Sequence, residues 1–191
     1  MARWAPGASE RLQRAAMQLF AEDGFEATTV AGIAGRAGVT ERTFFRHFTD
    51  KREVLFAGEE LLQQVFVEAI ADAPAGESVA GPLVAALDAG GRALQEARGR
   101  DYARARNEII MANEQLRERE LLKLAKLAQA VTAALVARGV AHVSAGLAGE
   151  LAVLVFRTAF DRWIAPGETR DLVALQREGF AAISDLTRAK T

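Results

Sequence analysis

The sequence predicts an all-α protein in two parts, an N-terminal three-helix domain and a C-terminal helical bundle. Three observations carry this. Of 191 residues, 40 are alanine, and leucine, glutamate, arginine and glutamine supply much of the rest; these are good helix formers. No stretch alternates apolar and polar residues with β-branched side chains, so no strands are expected. Glycine and proline fall between segments whose apolar residues recur every three or four positions.

The first helix spans about 9–23. Leu12, Ala15, Ala16, Leu19 and Phe20 form one apolar stripe, and Gly24 ends the helix with a left-handed cap. A second helix spans about 29–37, entered through Thr28 and Thr29 as capping residues, with Val30, Ile33, Ala34 and Ala37 inward; Gly38 breaks it. The third runs from Thr40 to near Phe48. The fourth starts after Asp50, which stands three residues before Glu53 in capping-box spacing, and continues through Leu55, Leu62, Val65, Phe66 and Ile70. A turn-rich break at 72–78 follows. Helices then fill about 79–98, 101–112, 114–138, 145–164 and 169–188.

Composition narrows the function. Hydrophobic residues make up 50% and charged residues 26%, as in ordinary globular proteins. There is no cysteine, which removes disulfides, thiolate metal sites and cysteine nucleophiles. His47 and His142 are the two histidines, so neither a metal nor a cofactor is expected. The 24 Lys+Arg against 25 Asp+Glu decide nothing about nucleic acid. Residues 1–7 show no apolar run of a signal peptide, and aliphatic stretches such as Leu151–Phe156 are short for a bilayer span. A cytoplasmic protein with no membrane partner is expected.

The informative segment is Thr28–Lys51, TTVAGIAGRAGVTERTFFRHFTDK. Two short helices joined by a glycine turn, behind an amphipathic helix, form the pattern of a helix-turn-helix at about 29–48. On a wheel of the third helix, Phe44 and Phe48 point one way and Arg42 and Arg46 the other. A core thus holds the helix while guanidinium groups face base edges and phosphates. From Arg36 to Arg52 there are five basic residues against two acidic ones, a local balance of +3.

Residues 9–56 resemble the DNA-binding domain of the tetracycline-repressor-like (TetR/AcrR) family. The resemblance rests on Ala15-Ala16, Leu19-Phe20, Gly24-Phe25, Thr28-Thr29-Val30, Ile33-Ala34, Ala37-Gly38-Val39, Thr43, Phe45, His47-Phe48 and Lys51. It implies a DNA-binding domain at 8–56 and a ligand-binding and dimerisation domain at 57–191. Thr29 and Lys51 would hold phosphates, and Thr40, Glu41, Arg42 and Thr43 would face the groove, with Arg42 on guanine and Glu41 on cytosine. Phe45 stands where the family usually has tyrosine, so that phosphate hydrogen bond is absent; compensation by Arg46 and packing of Phe45 on the sugar are the alternatives. His47 and Arg36 are further backbone-contact candidates; packing for His47 and plain solvation for Arg36 are the alternatives.

In the C-terminal part, the helix at 145–164 is apolar almost all round except Glu150, Arg157 and Asp161, which share one face. Such a helix is covered on both sides. It predicts a four-helix dimer interface with the last helix, through Leu147, Leu151, Leu154, Val155, Leu172, Leu175, Gly179, Ile183 and Leu186, crossing at about +20°; closure of the monomer core is the alternative. The resemblance further implies a pocket for a small apolar or amphipathic ligand, with Phe66, Ile70, Tyr102, Arg106, Asn107, Met111, Phe156, Phe160 and Trp163 as candidates; for any one of them plain core packing is the favoured alternative, and for Arg106 and Asn107 exposure to water. The expected function is a homodimeric repressor released from a near-palindromic double-stranded DNA operator by that ligand. The alternatives are an activator, or a DNA-binding dimer that is constitutive or controlled by a protein partner. An enzyme is disfavoured: no nucleophile–base pair stands out, and Gly32, Gly35 and Gly38 follow no strand.

Overall fold

The computed structural model describes residues 7–74, 76 and 78–187, apart from the side chains of Arg98 and Thr187. The readings made on residues 1–6 and 188–191 lie outside these. Every regular element among the described residues is an α-helix: α1 (Ala8–Glu22), α2 (Val30–Arg36), α3 (Glu41–His47), α4 (Glu53–Phe56), α5 (Glu59–Asp72), α6 (Ala80–Met111), α7 (Glu114–Ala137), α8 (His142–Trp163) and α9 (Leu172–Thr187).

The chain divides into two compact units. The first holds residues 1–58 together with Ala105–Glu118, and the second holds Glu59–Arg104 and Arg119–Thr191. The sequence placed the boundary at 56/57. In the structure the end of α6 and the start of α7 join the N-terminal unit. Ile110 and Leu116 are fully buried there. Arg106 Nε donates to the Leu55 carbonyl at 2.7 Å with its guanidinium over the Phe56 ring, and Asn113 Nδ2 donates to Glu26 Oε1 at 2.7 Å.

In the first unit the stripe Leu12, Ala15, Ala16, Leu19 and Phe20 is buried, as its spacing predicts, against Ile33, Ala34 and Phe44. Gly38 makes the turn between α2 and α3. At φ 67 it adopts the left-handed region, and the Val39 N–H reaches back to the Ala34 carbonyl at 3.0 Å, which closes a Schellman cap. Asp50 accepts the backbone N–H of Arg52 at 2.7 Å and of Glu53 at 3.1 Å, bonds that its spacing to Glu53 allows, although α4 starts only at Glu53 and has Arg52 as its N-cap. The predicted continuous fourth helix is two helices, because Gly58 takes φ 95 and stops the ladder after α4.

The second unit is built around α8. Its inner face (Ala145, Ala148, Ala152, Val155, Phe156, Ala159, Trp163) joins Phe66, Ile70, Leu83, Leu87, Leu127, Val131, Leu135, Leu172 and Leu175 in one core. Small residues set the spacings: a Cβ at Gly90 would enter the Phe66 ring, and one at Gly149 would meet Thr132 and the Ala128 carbonyl. Arg138 caps the end of α5, donating to the carbonyls of Ile70, Ala71 and Pro74. α8 starts three residues earlier than predicted, at His142, since the cap at Gly139 already turns the chain. By length and composition alone α8 is long and apolar enough to cross a membrane, with a mean hydropathy of 1.5, a property that the core helix of a soluble protein shares. About 39% of that apolar window is buried in this fold.

Candidate nucleic-acid interface

α3 is seven residues long and held from one side. Phe44 is fully buried and Phe48 nearly so, with ring centroids 5.6 Å apart. The opposite side exposes Glu41, Arg42, Phe45, Arg46 and His47. Thr40 caps the helix: its Oγ1 accepts from the Thr43 N–H at 3.2 Å and lies 3.1 Å from Thr43 Oγ1. The backbone entering α3 is therefore fixed, and the exposed row of side chains with it. Phe45 is 55% exposed and packs edge-on against Phe44 at 5.5 Å, so this ring stands at the surface without the hydroxyl a tyrosine would bring.

The other cations of this segment are already engaged. Arg36 pairs with Glu22 at 3.2 and 2.9 Å. That pair raises the Arg36 pKa and, through the same hydrogen bonds, lowers that of Glu22. Arg52 pairs with Asp50 at 3.0 Å through Nε. Burial pushes the Asp50 carboxyl up, but the hydrogen bonds from Arg52 and from the Glu53 and Arg52 N–H groups outweigh it and hold it below its ordinary value. Arg11 donates to the Ala37 carbonyl at 3.2 Å.

Lys51 departs furthest from the sequence expectation. Its ammonium donates to three carbonyls, Phe25 at 2.7 Å, Glu26 at 3.1 Å and Thr28 at 3.0 Å, and lies 4.5 Å from the Phe25 ring centroid. An ammonium has three N–H donors, so this geometry uses all of them. Lys51 clips the α1–α2 connection to the start of α4 and offers no spare donor to a phosphate. Thr29 caps α2, its Oγ1 accepting the Gly32 N–H at 3.0 Å, and its hydroxyl hydrogen is still free to donate outward. Of the five basic residues at 36–52, Arg42 and Arg46 thus remain without a partner among the described residues, both on the outer side of α3. No local pattern marks the Lys51 clip, whose acceptors lie 23 to 26 residues away.

The predicted pocket residues fall in both units. Phe66 and Ile70 are fully buried core, and Phe66 meets Phe156 edge-on at 5.7 Å. Phe160 stacks on Phe156 at 6.5 Å, and Trp163 is buried with the Arg100 guanidinium 5.6 Å from its ring. Tyr102 and Asn107 are half-buried, and Met111 is exposed. Arg106 is committed to the Leu55 carbonyl, so it does not serve as a free orienting group.

The predicted dimer residues also separate. Val155, Leu172 and Leu175 are corrected to core of their own unit, and Gly179 faces Val155 of α8 within the chain, where a built Cβ would stand at an ordinary contact distance of 3.5 Å. Leu147 (70% exposed), Leu154 and Leu186 stay open, and Leu151 and Ile183 are half-buried. A stripe read from sequence identifies an apolar face but not what covers it. Among the described residues no group of three or more His, Asp or Glu is placed to hold a metal.

Comparison with known proteins places this geometry. Residues 12–57 match the sequence model for bacterial regulatory proteins of the tetR family. The HTH-type transcriptional regulator TcmR of Streptomyces glaucescens is 42% identical over 69 residues, which cover 36% of this chain and 30% of that protein. The match thus spans under a third of the curated relative. Among solved structures, Thermus thermophilus FadR, a TetR-family repressor in complex with lauroyl-CoA, is 27% identical, with 96% of each chain covered and a TM-score of 0.57. PfmR, also a TetR-family regulator of Thermus thermophilus, is 25% identical, covering 91% of this chain and 96% of its own, with a TM-score of 0.54. FadR of Bacillus subtilis, solved with stearoyl-CoA, shares the fold at 19% identity, with 91% and 96% covered and a TM-score of 0.62. Residues 12–57 thus carry the sequence pattern of the tetR family of bacterial regulatory proteins, on an all-α fold shared with solved regulators of that family.

Proposed function

We propose that the protein is a DNA-binding transcriptional repressor that acts as a homodimer on a near-palindromic operator and is released by an amphipathic small molecule. The observation that carries the DNA-binding reading is the outer side of α3. Among the described residues Arg42 and Arg46 are unpaired there while Arg36, Lys51 and Arg52 are spent inside the unit. Arg42 and Glu41 read base edges, Thr40 and Thr43 line the same entry, and Arg46, His47 and Thr29 contact backbone phosphates. One α3 reaches too few base pairs for useful specificity. Two, set about 34–36 Å apart, read half-sites one helical turn apart. The exposed Leu147 and Leu154 on α8 support a second subunit as their cover.

The ligand reading draws on the lauroyl-CoA complex of the 27% identical Thermus repressor and on the aromatic series Phe66, Phe156, Phe160 and Trp163 in the second unit. An acyl chain is the matching chemistry. One observation favours a second reading, a DNA-binding dimer with no small-molecule signal: Phe66 and Ile70 are fully buried, as in a filled core. Fluorescence anisotropy with the promoter DNA flanking its own gene, with and without lauroyl-CoA, separates the two. Loss of DNA binding with acyl-CoA supports release. Unchanged binding across acyl chain lengths favours the unliganded reading, and no binding to any promoter fragment defeats both.

A further inference from the structure

The outer face of α8 carries a regular seam. Val143, Leu147, Glu150, Leu154, Arg157 and Asp161 are spaced alternately four and three residues apart, and all six are exposed. That spacing keeps one stripe of a helix against a neighbouring helix. Val143 is 77% and Leu147 70% exposed, so apolar area is uncovered. The charges within the seam make no close ion pair either, although Arg157 acts through its charge on the Asp161 carboxyl one turn along. Glu150 and Arg157 have no ion pair among the described residues, whereas Arg162, the next cation on α8, is taken by Glu178 at 3.0 Å.

We infer that this seam recognises a second copy of itself, with the two α8 helices antiparallel and Glu150 of each copy paired with the partner's Arg157. The inference rests on the dimer reading above and adds its register. Glu150 and Arg157 lie on either side of Leu154. An axis midway between them leaves each about 5 Å along the helix at 1.5 Å per residue, so Glu150 is level with the partner's Arg157. The symmetry makes the contact twice. Helices pack with their axes about 8–10 Å apart, a gap that a glutamate and an arginine bridge together. A parallel pairing would set Glu150 beside the partner's Glu150 and arginine beside arginine, so the charge order selects the antiparallel one. In the same register Asp161 falls level with Gly146, beside the exposed Leu147 of the partner's seam. A groove of about 530 Å³ between α7 and α8, lined by Thr132, Val136, His142, Gly146 and Glu150 among others, opens beside Glu150 and gives the incoming arginine stem apolar surface.

Sedimentation of the full chain with Glu150→Arg, Arg157→Glu and both together tests this. Each single reversal sets like charges opposite one another twice and is expected to weaken dimerisation by about 100-fold or more. The double reversal restores the pairs and the dimer. Mixing the two single variants is the sharper readout. One carries arginine at both positions and the other glutamate at both, so heterodimers form where neither homodimer does, which also shows that both variants are folded. A wild-type chain that stays monomeric up to high micromolar concentration overturns the dimer reading together with this register. A wild-type dimer that single reversals leave intact, or a mixture that forms no heterodimer, overturns the register and leaves the dimer standing.

Discussion

Arg42 and Lys51 are both basic residues of the helix-turn-helix segment, yet their surroundings assign them opposite work. Arg42 projects from α3 without a partner among the described residues, and substitution to alanine is expected to relax base preference by about 1–3 kcal/mol. Affinities measured over an operator series with single-base changes check this: discrimination should collapse at one position per half-site. Lys51 is turned inward onto three carbonyls. Lys51→Met should therefore lower stability by about 1.5–3 kcal/mol, the range for hydrogen bonds to a charged group, visible as a fall in Tm. The slope of log affinity against log salt should stay where it was. A phosphate-binding lysine would instead reduce that slope by about 1, so the two roles separate in one titration series. A third residue, Gln176 of α9, is fully buried with neither amide atom hydrogen-bonded among the described residues, packed where Gly91 of α6 lacks a side chain. Gln176→Met keeps the volume and removes the orphaned amide, and is expected to raise stability by about 1–3 kcal/mol, read by denaturant unfolding.

At the scale of elements, the joint between α8 and α9 is held by charge. Arg100 donates to the carbonyls of Glu168 and Arg170, Arg104 to the Ile164 carbonyl at 2.6 Å, and Arg170 pairs with both Glu168 and Glu178. Hydrogen bonds from the Arg170 side chain, then its backbone N–H, hold the Glu168 carboxyl down at about 2. A carboxyl lowered in the fold contributes stability that is in place above its ordinary value of 4.5 and is lost as pH falls towards 2. Arg170→Ala should bring the Glu168 titration, followed by carboxylate carbon shifts in NMR, back towards its ordinary value.

The elements also show what local sequence specifies. The α1 stripe, the Gly38 turn, the Asp50 backbone bonds and the Phe44/Phe48 face were legible because each depends on residues within one or two turns of one another. The break at Gly58 was missed because apolar spacing continues across it from Leu55 to Leu62. Val155, Leu172 and Leu175 were placed on the wrong cover for a different reason. Periodicity marks a face as apolar, and only long-range packing decides whether the same chain or another one covers it. The outer face of α3, which depends on a single short helix, was the most legible part of the candidate site. The pocket, assembled from helices far apart in sequence, was the least.

For the whole molecule, the N-terminal unit is not a continuous stretch of chain. Ile110 and Leu116 bury themselves in it, and Arg106 and Asn113 bind Leu55 and Glu26 within it. Transplanting the N-terminal unit onto another protein, in the manner of interchangeable parts, would thus require two grafts, 1–58 and 105–118. A fragment cut after residue 58 would lack two of its own interior side chains. Any engineered chimera made at that seam inherits a hole where the missing hairpin belongs.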